Sequence, residues 1–318
     1  MNTPTLAIAI PCYNEEKLIK STTDRLLEVL LDLESQGKIS NSSFIYLIDD
    51  GSKDNTWAEI EKANQSNPSK IKGVKFTRNF GNQSAHLAGL LGARELDANC
   101  VITIDADLQQ DENSIGDFVQ KYQDGADIVF GVRKDRKTDS IFKKYTALCF
   151  YKLMNLLGAK TTPNHSDFRL VSRKALDVLA EYKETNLFLR GIFQELGLKT
   201  DYVKFSVKPR KVGNSKFSPQ ALFVLAMNGL TSFSIVPLRL VSVLGILMAL
   251  CSFGLGLEVI YEKFILNNTI PGWATMIVAT SFIGGVQIFC IGIIGEYLGQ
   301  VYQEVKARPR FVKETELK

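Results

Sequence analysis

The sequence is poor in the residues that build most metal centres and disulfide frameworks. Histidine occurs twice, at His86 and His165, and five cysteines stand apart at positions 12, 100, 149, 251 and 290. Two histidines exclude a histidine-rich metal site. An odd number of widely spaced cysteines argues against a disulfide scaffold and a zinc cluster, and leaves reduced thiols facing a cytoplasm. Nor is there a surplus of one charge: 38 basic and 34 acidic residues give a formal net charge of +4, too even for a nucleic-acid partner. No G-x-G-x-x-G follows a predicted strand and no G-x-x-x-x-G-K-[ST] occurs, so the dinucleotide fingerprint and the nucleoside-triphosphate loop are both missing. The opening MNTPTLAIAIPCYNEE lacks the basic start and full apolar core of a signal peptide and reads as a first strand.

What is present divides the chain in two. Short apolar runs at 5–10, 44–49, 72–77, 101–105 and 126–132 alternate with segments of helical spacing, such as Leu18, Thr22, Leu26, Leu30 and Leu33. Asn14 is the expected N-cap of that first helix. This alternation predicts an α/β fold with a mostly parallel sheet over residues 1–215. Ligands gather outside the carboxyl ends of such strands. The polar clusters Pro11–Glu15, Asp49–Asp54, Arg78–Gly81 and Asp105–Gln109 all stand there.

Further on, residues 240–257 and 267–295 carry no charged side chain. About 20 residues cross a bilayer core, so a two-span hairpin is expected over 239–297. Arg239 precedes it, and a basic tail over 298–318 with Lys306, Arg308, Arg310 and Lys313 follows. The positive-inside rule then places both flanks, and the sheet domain, on the cytoplasmic side of the cell membrane. Residues 216–238 read as an amphiphilic interfacial helix, with a third span as the other reading. Glycines at 245, 254, 256, 284, 285, 292 and 295 allow close helix contacts, within the chain or in a homo-oligomer.

The run VITIDADLQQ is the sharpest chemical signal. Asp105, Asp107 and Gln109 offer three hard oxygen ligands where a strand ends, a set suited to Mg²⁺ or Mn²⁺. A calcium loop fails, because Gln110 stands where glycine is required and Gly116 where glutamate is. The second acidic cluster, Asp49, Asp50, Ser52 and Asp54, offers acceptors for a base or ribose. Asp54 reads equally as the cap of the following helix.

Together PCYNEE (11–16), DDGSKDN (49–55), RNFGNQ (78–83), DADLQ (105–109), DFRLVSR (167–173), RKVGNSKF (210–217) and GEYLGQVYQEVKARP (295–309) resemble family 2 glycosyltransferases of the polyisoprenyl-phosphate branch. These include bactoprenol glucosyltransferases and dolichyl-phosphate mannosyltransferases. The resemblance covers nearly the whole chain. It implies a glycosyltransferase A-type nucleotide-sugar fold and inverting transfer of one sugar to a polyprenyl phosphate such as undecaprenyl phosphate. It gives Asp105, Asp107 and Gln109 a divalent metal, and Pro11, Tyr13, Asn14, Glu15, Asp49, Asp50, Asp54, Arg78 and Asn79 the nucleotide. UDP-glucose is the favoured donor, with GDP-mannose or a UDP-N-acetylhexosamine as alternatives.

Arg133, Arg169, Arg210 and Lys216 are candidates for the acceptor phosphate, because arginine forks match phosphate oxygens. Ordinary positive charge on a cytoplasmic face is the other reading of these four. Asp167 pairs with Arg169 or bonds a sugar hydroxyl, and these two join Asp105 and Asp107 as the candidate catalytic residues. A processive synthase is disfavoured because no Q-x-x-R-W occurs. Another lipid acceptor, or a non-catalytic membrane-anchored scaffold, completes the alternatives.

Overall fold

The computed structural model describes residues 3–134, 165–184, 189–207, 236–265 and 272–318. Its eight-stranded sheet has the order β7-β5-β6-β4-β1-β2-β3-β8. The centre is built by β1 (Leu6–Cys12), β2 (Phe44–Asp49), β3 (Ile71–Phe76) and β4 (Cys100–Thr103), all parallel. The apolar runs of β1, β2 and β4 are continuous because both faces are covered, while Lys72 and Lys75 interrupt that of β3. Leu6, Ile8, Ile10 and Cys12 enter a core shared with α1 (Glu16–Ser35), α2 (Thr56–Ser66) and α4 (Ile115–Gln123). Ala7 and Ala9 face α3 (Asn82–Glu95) on the other side, where a Cβ at Gly89 would stand 2.9 Å from Ala9 Cβ. Small residues on both partners thus let α3 lie close to the sheet.

The sheet is mixed: four of its seven pairings are parallel, as the alternation leads one to expect, and three are antiparallel. β6 (His165–Ser172) inserts between β4 and β5 (Ile128–Arg133) and runs antiparallel to both. β7 (Thr200–Phe205) is parallel to β5 at one edge, preceded by α5 (Arg173–Glu181) and α6 (Leu189–Glu195). β8 (Lys313–Leu317) pairs antiparallel with β3 at the other edge. The last residues are therefore a strand of the sheet, where the sequence suggested a basic tail. Two of the expected tail cations bond to the domain: Lys313 pairs with Glu95 and Glu316, and Arg310 donates to the Tyr182 carbonyl at 2.8 Å.

Two long helices lie between β7 and β8 in the chain: α7 (Val236–Phe264) and α8 (Trp273–Val305). They contain stretches long and apolar enough to cross a membrane, Leu238–Leu255 and Phe282–Val305, and neither stretch is buried by protein. At about 1.5 Å per residue they are roughly 44 and 50 Å long, beyond the ~30 Å of a hydrocarbon core. Most of the expected interfacial helix at 216–238, and Arg210 and Lys216, lie outside the described residues.

Candidate active site

The strand order reverses at β1, which has β2 on one side and β4 on the other. A crevice opens at such a point beyond the strand ends. Ile104 donates to Ala9 and Asp50 to Cys12. Strand alternation therefore turns Pro11 toward the β4 side, where β4 has already ended at Thr103. A residue without an N–H costs nothing there.

The crevice has a volume of about 390 Å³ and is lined by Pro11, Tyr13, Glu15, Asp50, Asn79, Asp105, Asp107, Arg133, Asp167 and Arg190, among others. Nine of these ten come from the sequence expectations, from Pro11 to Asp167, 156 positions apart. Asn14, Asp49, Asp54, Arg78, Gln109 and Arg169 are not in its lining.

Three of those six hold loops together instead. Asn14 does not cap α1. It adopts a left-handed φ of 54°, takes the Lys53 amide on Oδ1 at 2.9 Å and donates its own amide to Ser52 Oγ. Asp54 accepts Thr56 N at 3.0 Å and Glu16 N at 3.3 Å, so one carboxylate serves the starts of both α1 and α2. Glu15 N donates to Thr56 Oγ1, and Asn55 N to Glu16. Each helix thus satisfies the orphan amides of the other. Asp49 accepts Ser52 N at 3.0 Å in a tight turn through Gly51 and is fully buried, which pushes its carboxyl above the usual range.

Asp50 turns the other way. Its two oxygens accept Phe80 N at 2.6 Å and Gly81 N at 3.0 Å, fixing the Arg78–Gly81 loop against the crevice. Burial raises its carboxyl, and these two bonds oppose the rise. Gly51 has φ 64°, and a Cβ there would lie 2.3 Å from the Arg78 carbonyl carbon. Gly51→Ala is expected to push this loop outward and cost more than about 1 kcal/mol of stability, from backbone strain and overlap together. Thermal melting of the variant checks this, and a stability equal to wild type would contradict it.

On the opposite wall, Asp105 and Asp107 follow β4 in a turn whose Leu108 has φ 46°. That left-handed residue reverses the expected side-chain sequence. Gln110, 3% exposed, points inward and donates Nε2 to Asp105 Oδ2, while the Gln109 backbone N–H donates to Asp107 Oδ1 at 3.2 Å. Thr22 Oγ1 of α1 donates to the Ala106 carbonyl at 2.6 Å and anchors the turn. Among the described residues no three His, Cys, Asp or Glu side chains form a closed metal cluster. Two carboxylates facing one crevice fit a hard divalent cation that completes its shell with water and substrate phosphate oxygens.

The Asp105 carboxyl is open to the crevice on one side and enclosed by protein on the others. Desolvation first, then the Asp167 and Asp107 charges, push it up to about 6. Below that pH it is neutral and a poor cation ligand. Mn²⁺ affinity of the metal-free protein is therefore expected to climb as pH rises through about 6 and to level off above it. Calorimetric titration between pH 5 and 8 reads this directly, and a flat profile would contradict it.

At the back of the crevice lies a charge cluster. Asp167 on β6 accepts Arg169 Nη2 at 2.6 Å, and Arg190 of α6 in a fork, Nε at 3.1 Å and Nη2 at 2.7 Å. These two arginines hold the Asp167 carboxyl well below the usual range despite its burial. Arg169 is 2% exposed with its guanidinium 4.8 Å from the Phe193 ring centre, so it supports the cluster from behind and is not exposed to an acceptor. Arg190 is 37% exposed and reaches the crevice. The sequence expectations missed it because FLRG presents one arginine with no acidic neighbour. His86 was missed as well: it is buried on α3 with Nε2 4.0 Å from Asp105, and burial holds it down to about 4, so it is neutral at pH 7.

The glycosyl transferase family 2 model matches residues 7–179, more than half of the chain. The chain belongs to this family. A second model, the GtrB C-terminal hairpin, matches residues 236–301 of the glycosyltransferase and so takes in most of α7 and α8. Among its relatives, the uncharacterized glycosyltransferase YkoT of Bacillus subtilis is 45% identical over 314 residues, covering 99% of this chain and 92% of that one. The bactoprenol glucosyl transferase of Shigella phage SfX is 38% identical over 310 residues, covering 96% and 98%. Among solved structures, the mannosyltransferase PcManGT from Pyrobaculum calidifontis, in complex with GDP-Man and Mn²⁺, is similar at 15% identity with a TM-score of 0.47, covering 96% of this chain and 88% of that one.

Proposed function

We propose that this glycosyltransferase transfers one glucose from UDP-glucose to a polyprenyl phosphate at the cytoplasmic face of the membrane, with inversion at the anomeric carbon. One observation carries the reading. A single crevice sets two carboxylates, Asp105 and Asp107, beside two arginines, Arg133 and Arg190, on a domain joined to a pair of membrane-length helices. The names of relatives such as the bactoprenol glucosyl transferase of phage SfX favour this donor and acceptor.

The nucleotide lies against Pro11, Tyr13, Glu15, Asp50 and Asn79. Asp105 and Asp107 hold Mg²⁺ or Mn²⁺, which when bound offsets charge on the leaving diphosphate. Arg133 and Arg190 gather the acceptor phosphate, and the fork from Asp167 fixes the Arg190 plane. An acceptor phosphate oxygen forms the new bond to the anomeric carbon as the bond from that carbon to the UDP oxygen breaks, and the electron pair leaves with UDP. The acceptor is already an anion at neutral pH and carries no proton that must be removed. Asp167, held ionised between two arginines, acts as a positioning residue and not as a base. Arg239 before the spans and Lys306 and Arg308 after them favour the cytoplasmic side for this domain.

The test is turnover of undecaprenyl phosphate with a panel of UDP- and GDP-sugars, with and without EDTA, read as released nucleotide and as the mass of the extracted lipid. UDP-glucose is expected to add one hexose to the lipid phosphate only when metal is present. Turnover with GDP-mannose alone would replace the donor. Release of nucleotide with diacylglycerol in place of the phosphate lipid would replace the acceptor.

A further inference from the structure

The chain leaves α8 at Val305, and residues 306–312 alone separate that helix from β8. β8 does more than cover the sheet edge. Its pairing with β3 continues past both strand ends, where Thr77 N donates to the Val312 carbonyl at 3.1 Å. One residue earlier, the Phe311 ring stacks on Phe76 with centroids 5.1 Å apart and planes within 10°. Phe76 in turn meets Phe80 edge-on at 5.8 Å. Arg78 lies over the outer side of that system, 4.0 Å from the Phe80 ring centre.

Phe80 belongs to the loop whose amides are held by Asp50 and whose Asn79, Gly81 and Asn82 line the crevice. Beside the Asp50 carboxylate and Ser84 Oγ, which donates to the Phe80 carbonyl at 3.1 Å, this aromatic relay is a further side-chain anchor of the loop. Arg310 fastens the approach to it by donating to Tyr182.

We propose that the stretch Arg310–Val312, between α8 and β8, is a positioning element of the donor site, with Phe311 as its key residue. The segment returning from the membrane helix orders the Arg78–Asn82 loop through Phe76 and Phe80 and so sets nucleotide affinity. This rests on the reading above that the nucleotide occupies the Asp50 end of the crevice.

The test uses the full chain in detergent and three variants: Phe311→Ala, the conservative Phe311→Tyr, and Glu314→Ala, which alters an exposed side chain of β8. UDP binding with Mn²⁺ is measured by calorimetry, and backbone amide exchange is compared for residues 77–82 and for β1. Phe311→Ala is expected to weaken UDP binding about tenfold, the scale of one lost aromatic pair. It is expected to speed exchange at 77–82, leave β1 protected, and raise KM for the donor with kcat changed far less. Phe311→Tyr restores both readouts, and Glu314→Ala changes neither. Unchanged exchange at 77–82 in Phe311→Ala would overturn the proposal, as would equal loss of protection in β1, because that is unfolding and not positioning. If wild type binds no UDP, the nucleotide reading of the crevice fails, while the exchange comparison still decides whether the segment orders the loop.

Discussion

Asp107→Ala is expected to lower transfer at least about 10³-fold while the chain stays folded. The leaving group is a nucleotide diphosphate, and charge grows on it as the glycosidic bond breaks. Removing a group that stabilises such charge typically costs about 10²–10³ in turnover, and on the proposed reading the cation, held by two protein carboxylates, depends on each of them more strongly. Asp107 is half-buried at the crevice wall and takes the Gln109 backbone amide at 3.2 Å. Its loss should cost about 1 kcal/mol of stability, the scale of one hydrogen bond. Single-turnover release of UDP from UDP-glucose at several Mn²⁺ concentrations separates weaker metal binding from slower chemistry. A variant within a few fold of wild type at all concentrations would remove Asp107 from the reaction. Asp105→Ala is less clean, because it also leaves the buried Gln110 amide without its partner.

Asp167→Asn is expected to give the largest loss of stability, about 3–5 kcal/mol, because it leaves the buried Arg169 uncompensated. Arg169 is 2% exposed, and its Nη1 already has no partner among the described residues. In a domain of this size, the melting temperature should drop by about 10 °C. The pH dependence follows from the depressed Asp167 carboxyl. The folded chain holds it ionised below the pH at which the unfolded chain takes up a proton. Its contribution is therefore fully present above the ordinary carboxylate value of 3.8 and is lost as pH falls below that. Wild type and variant should differ most near neutrality and converge in acid. Adding Arg169→Met to Asp167→Asn should recover part of the loss, since an apolar replacement no longer strands a charge. If the double variant is less stable than the single, the buried-charge account fails. Transfer should also fall in Asp167→Asn, because Arg190 loses the fork that orients it.

The central strands were legible because their environment is uniform. Residues 44–49 form β2 with the bounds that FIYLID suggests, since both faces are covered and nothing interrupts the apolar run. The crevice residues were legible for a related reason: polar clusters after buried strands have few places to go except a common opening. Other features needed tertiary information. KETEL is charged at three of its five positions and offers the core one apolar side chain, Leu317, and it becomes a strand because β3 offers an edge and Lys313 finds Glu95 and Glu316. Charged residues suit such an edge. The inward turn of Gln110 in place of Gln109 depends on one left-handed residue, Leu108, a conformation that leucine seldom adopts and sequence does not reveal. Asn14 looked like a cap because caps are usually local. Here the cap is reciprocal, and the loop 13–16 is satisfied by side chains some 40 positions away.

The return of β8 to β3 also imposes a rule of parity. A chain that leaves a sheet after β7 and rejoins the same sheet at β8 can cross a bilayer only an even number of times in between, and the two described spans meet that count. With both helices across a bilayer, the two ends of this polypeptide face one compartment. Reporter enzymes fused before Met1 and after Lys318 should give the same compartment signal, and a reporter inserted between α7 and α8 should give the opposite one.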